Sequence, residues 1–99
     1  MSKHEQVRQQ IEETLIDVYP EITRVEIEIN LLGKYKNKDP NIKHITVVIK
    51  EKINEFSYPC IVNLEKQQIN VLTLLNFFGW EKHKFNKKVQ QLIIDLFTN

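Results

Sequence analysis

The side chains with reactive potential are few and scattered. The chain has three histidines, His4, His44 and His83, and one cysteine, Cys60. None of the histidines stands at a metal-ligand spacing from Cys60 or from a carboxylate at i+3 or i+4, and each lies in a polar stretch. Cys60 sits in Pro-Cys-Ile-Val, which reads as a strand thiol acting as a small hydrophobe. Glu26 and Glu28 stand two apart, as paired acids on one strand face would. Alternation with apolar residues gives the same spacing on any solvated strand, so the pair alone implies no acid-base chemistry. Gly33 and Gly79 are the only glycines, too few for a phosphate-cradling loop. The expectation is a protein that is not an enzyme and holds neither cofactor nor metal.

Two other groups could carry a binding function. Thr73–Trp80 (Thr-Leu-Leu-Asn-Phe-Phe-Gly-Trp) places Phe77, Phe78 and Trp80 beside Leu74 and Leu75. In a small domain most such side chains belong to the core. Gly79 lets the backbone turn sharply, however, so the three aromatics are not expected all to point inward. An outward aromatic is a typical interface anchor, which makes Phe77, Phe78 and Trp80 the candidate protein-binding residues. The other group is basic: Lys34, Lys36, Lys38 and Lys43 in or beside one loop, and Lys82, Lys84, Lys87 and Lys88 farther on. These are the candidate nucleic-acid contacts under the alternative reading. Lysines opening a helix oppose its dipole, and a bound phosphate would offset that cost.

The elements that must position these groups follow from periodicity. Val25, Ile27, Ile29 and Leu31 alternate with Arg24, Glu26, Glu28 and Asn30, and Ile45, Val47, Ile49 and Ile53 share one side of a second run. A period of two predicts half-buried strands, here the arms Ile22–Leu32 and Ile42–Ile53 of a long hairpin. Its loop, 33–41, ends in the turn chemistry Asp39-Pro40-Asn41. A third strand is expected over Tyr58–Leu64, with Pro59 tolerated near its start at a sheet edge. A turn over Glu65–Gln68 and a fourth strand, Ile69–Leu72, follow. Val48, Ile61 and Leu72 are expected on the face away from the core. Thr73–Trp80 reads equally as a strand extension or a helical turn.

Helices flank the strands. Ser2-Lys3-His4-Glu5 is a capping box, and Val7, Ile11, Leu15 and Val18 make one apolar stripe, with Arg8, Gln9, Glu12, Glu13 and Asp17 outside it. Pro20 stops this helix at Tyr19. Phe85, Val89, Leu92, Ile93, Leu96 and Phe97 stripe a second helix from about Glu81 to Phe97, unless Lys82 and Lys84 precede a helix capped at Asn86. The reading is one α+β domain over residues 1–99, in the order α-β-β-β-β-α. It is a two-layer sandwich with an antiparallel sheet and both helices on one face.

Composition bounds the rest. The 99 residues are 41% hydrophobic and 27% charged, which is globular rather than disordered. A lone cysteine fits a reducing compartment, Met1–Gln10 has no apolar signal region, and no run reaches the ~20 apolar residues of a bilayer span. The expectation is a cytoplasmic protein without a membrane partner. Alanine is absent, all but two of the 14 basic residues are lysine, and Ile, Asn and Lys are abundant. That bias matches AT-rich codons and implies an AT-rich genome of a bacterium, phage or plasmid. Net charge is +1, but residues 1–33 are acidic and residues 34–52 basic. Such a dipole favours oriented or head-to-tail association.

In layout, the order helix, strands, helix, with a basic hairpin loop and lysines opening the last helix, resembles the double-stranded-RNA-binding domain. The chain departs from that family in its fourth strand, its acidic first helix and the missing small-residue pattern at the second-helix start. The preferred reading is a small regulatory module that binds another protein or a second copy of itself.

Overall fold

The computed structural model describes residues 2–29, 40–72 and 83–98. In chain order the elements are α1 (Lys3–Val18), β1 (Ile22–Ile29), β2 (Ile42–Glu51), β3 (Glu55–Asn63), β4 (Gln68–Val71) and α2 (Lys87–Asp95). The strands form one antiparallel sheet in the order β1-β2-β3-β4. This is the expected α+β order, and the short β2–β3 and β3–β4 connections account for antiparallel neighbours there. No helix among the described residues is long and apolar enough to cross a membrane.

Ser2 caps α1 by accepting the Glu5 N–H at 3.2 Å, as the capping box predicts. The Glu5 carboxylate turns instead to Arg8. Val7, Ile11 and Leu15 enter the core, but Val18 is half-exposed because the helix unwinds at Tyr19 directly after it. α1 and α2 touch each other, and both feed one core cluster with Val25, Ile27, Ile45, Val47, Ile49, Tyr58, Cys60 and Val62.

A bulge at the start of β1 explains how Ile22 and Val25 are both buried although three residues apart. Ile22 pairs with Glu51 and Arg24 with Lys50, so Thr23 is the extra residue and shifts the side-chain alternation. On β2 the core-facing parity runs Ile45, Val47, Ile49 and then Glu51, where the strand ends. Ile53, expected in that series, lies beyond the strand and is 92% exposed.

The third strand begins at Glu55, not Tyr58, and Pro59 lies mid-strand between β2 and β4 rather than at an edge. Its carbonyl accepts the Leu72 N–H at 2.6 Å, so its backbone polar side faces β4. Proline has no N–H to return the second bond of that pair, and β4 stops one residue earlier, at Val71. β4 therefore covers Gln68–Val71, one residue earlier than expected. Register places Val48 and Ile61 opposite the core-facing series. Val48 is only 5% exposed, however, so that position offers no open apolar surface.

Candidate functional site

The second helix is shorter than its apolar stripe suggests. Asn86 caps it by accepting the Val89 N–H at 2.9 Å, so Glu81–Phe97 contracts to Lys87–Asp95. His83 and Lys84 therefore belong to an extended lead-in, and this lead-in carries a buried polar cluster. The consecutive backbone N–H groups of His83 and Lys84 each donate to a tyrosine hydroxyl. His83 N reaches Tyr58 Oη at 3.3 Å, and Lys84 N reaches Tyr19 Oη at 2.9 Å. Tyr58 comes from β3, and Tyr19 caps the end of α1. The lead-in is thereby tied to the sheet and to the first helix at once.

The His83 ring completes the arrangement. Its Nδ1 lies 2.7 Å from Tyr58 Oη and its Nε2 lies 2.9 Å from Glu51 Oε2. The backbone N–H of His83 donates to the same Tyr58 Oη, so the hydroxyl meets both the ring and the main chain of one residue. The rings of Tyr19, Phe56 and Tyr58 stand edge-on around the imidazole at centroid distances of 4.9, 5.0 and 5.8 Å. The side chain of His83 is 0% exposed and that of Glu51 6%.

Carboxylate, imidazole and phenol in series are the parts of a proton relay. Here both ring nitrogens have polar partners and the side chain is buried. What the series does is hold the lead-in of α2 on the sheet. His83, which the sequence places in a polar stretch, is buried, and the lysines on either side of it gave no sign of that. Tyr58 and Glu51 were not singled out by sequence. Their signal was parity: both fall on the inward side of alternating strands, and Glu51 is the one ionisable residue in the series Ile45, Val47, Ile49, Glu51.

A second buried polar group joins α1 to the sheet edge. Arg8, expected on the solvent side of α1, is 4% exposed. Its guanidinium contacts Glu5 at 2.7 Å and Glu12 at 2.8 Å, and donates to the Val25 carbonyl at 2.8 Å. Glu12 in turn accepts the Val25 N–H at 2.9 Å. The hydrogen bonds from Arg8 hold the Glu5 carboxyl below the usual carboxylate range, and those to Glu5 raise the Arg8 guanidinium further.

The sequence candidates divide as follows. Phe77, Phe78, Trp80, Lys34, Lys36, Lys38 and Lys82 lie outside the described residues. Lys84, Lys87 and Lys88 are exposed, the first in the lead-in and the other two in the first turn of α2. Lys43 is half-buried within β2, opposite Val62. Cys60 is buried, and burial pushes its thiol up to about 12. Glu26 lies near Arg24 at 3.7 Å and Lys50 at 3.5 Å, a solvated ion-pair face rather than a pair of acids. Gln10, Glu13, Thr14 and Asp17 of α1 line a shallow cleft of about 360 Å³ with Lys88 and Leu92 of α2. Among the described residues no group of three or more His, Cys, Asp or Glu could hold a metal ion.

Comparison with known proteins finds no family model, no characterised protein and no solved structure that matches the chain.

Proposed function

We propose that the chain is a small non-enzymatic binding module, a regulator or inhibitor of bacterial, phage or plasmid type. It acts inside the cell by contacting another protein or a second copy of itself through Phe77, Phe78 and Trp80. The observation that supports this reading is how the flanks of that aromatic stretch are held. On one side, Leu72 is fixed by its N–H to the Pro59 carbonyl at 2.6 Å. On the other, His83 is fixed to the Tyr58 hydroxyl and to Glu51. The ten residues 73–82 thus join two points anchored on consecutive residues of β3. Anchored flanks lower the ordering cost of binding through such a stretch. The half-exposed Leu72 extends the apolar character up to the anchor.

A second reading is supported by Lys84, Lys87 and Lys88. They are exposed around a helix start whose first turn contains no acidic residue, where an anion such as a nucleic-acid phosphate would be favoured. The two readings separate in one experiment. Trp80→Ala and the pair Lys87→Ala/Lys88→Ala are compared for partner retention on the immobilised protein. The protein-binding reading expects the larger loss from Trp80→Ala. The nucleic-acid reading expects the larger loss from the lysine pair, together with a steep fall in affinity as salt rises.

A further inference from the structure

Among the described residues β1 is an outer strand of the sheet, and the side away from β2 is where a further strand would add. At Val25 that side is occupied by side chains. The Val25 N–H donates to Glu12 Oε2 at 2.9 Å, and the Val25 carbonyl accepts from Arg8 Nη1 at 2.8 Å. Val25 faces Ile49 across the β1–β2 ladder, so its polar groups point away from β2. One carboxylate oxygen and one guanidinium N–H thus stand where a neighbouring strand would place its carbonyl and its amide. Arg8 and Glu12 also bond each other at 2.8 Å, and Arg8 is buried in doing so. An isolated surface ion pair would need neither the burial nor the two backbone contacts.

We infer that the Arg8–Glu12 pair is a built-in cap on the β1 edge, and that this capped edge is a latent pairing surface for a second copy of the chain. The inference stands apart from the binding reading for residues 73–82. The strand itself argues for a second copy as the occupant. In an antiparallel β1–β1 pairing with Val25 opposite Ile27, both residues offer outward-facing backbone groups. Arg24 then lies opposite Glu28 of the other copy, twice by symmetry, as opposite-charge cross-strand pairs. Glu26 meets its own counterpart on the axis, with Lys50 of each copy 3.5 Å from it. The cap keeps this pairing from forming.

The test is the oligomeric state of the full chain by sedimentation velocity over a wide concentration range. The wild type and Glu12→Gln, which keeps an oxygen acceptor for Val25, are expected to sediment as one species. Glu12→Ala is expected to self-associate on the order of tenfold more tightly, since an orphaned amide regains a partner in the dimer. Adding Glu28→Arg sets arginine against Arg24 and is expected to abolish that dimer. Glu12→Asp keeps the charge but draws the carboxylate back from Val25, and it replaces Glu12→Ala should that variant not fold. A folded variant that associates no more than wild type overturns the inference, as does a dimer indifferent to Glu28→Arg.

Discussion

Replacing Tyr58 by Phe removes one oxygen from the core and leaves the ring in place. That oxygen serves two groups of the α2 lead-in, His83 Nδ1 at 2.7 Å and the His83 N–H at 3.3 Å. Tyr58 and His83 are 1% and 2% exposed, so water does not readily replace the lost partner. An orphaned buried polar group costs about 1–3 kcal/mol. The longer bond to the N–H belongs at the low end, so the two together amount to about 2–4 kcal/mol. Domains of this kind have about 5–15 kcal/mol in total. At about 4–8 °C per kcal/mol, Tm should fall by roughly 8–32 °C. Urea denaturation followed by circular dichroism should show the midpoint lowered by roughly 1–2 M at an unchanged slope. Tyr19→Phe is the control. Its hydroxyl serves the N–H of exposed Lys84, which water can reach, so the loss should stay below about 1 kcal/mol. A Tyr58→Phe loss no larger than that of Tyr19→Phe would refute the account of the buried series.

Four further outcomes follow from the same geometry. Because Arg8 holds the folded Glu5 carboxyl below its ordinary 4.5, Glu5 contributes stability above that pH and loses it as pH falls through the lowered value. Glu5→Gln should therefore flatten the acid limb of a stability-against-pH curve, and an unchanged limb would count against the Arg8–Glu5 contact. Cys60 ionises near 9.0 when unfolded and near 12 when buried, so its contribution is lost as pH rises through that interval. At neutral pH the thiol should react with a thiol reagent only as fast as the chain opens. Gln67 holds a φ of 51° in the β3–β4 turn, so Gln67→Gly should raise stability by up to about 1 kcal/mol, read by thermal melting. Ile53→Ser should change stability by less than about 0.5 kcal/mol while Ile49→Ala costs about 2–5 kcal/mol.

Element order and most of the core were legible because period-two and helical stripes are local signals. Val25, Ile27, Ile45, Val47, Ile49, Val89 and Ile93 are buried as their spacing requires. What sequence reading missed depends on contacts distant in the chain. Arg8 reads as solvent-facing until Val25, 17 residues on, supplies a carbonyl for it. Glu51 and His83 read as ordinary polar residues until a separation of 32 residues closes to 2.9 Å. Ile53 reads as core until the strand ends two residues before it, at Glu51. Pro59 is tolerated inside the sheet because its missing N–H faces the end of β4, which is a property of register and not of composition.

The binding reading is tested most directly by capture of partners on the tagged chain from its host lysate, divided into nuclease-treated and untreated halves. Wild type and Trp80→Ala are run side by side. The account predicts a stoichiometric protein partner that survives nuclease and is lost with Trp80→Ala. Recovered nucleic acid, or partners released by nuclease and retained by Trp80→Ala, would contradict it and shift the function to Lys84, Lys87 and Lys88.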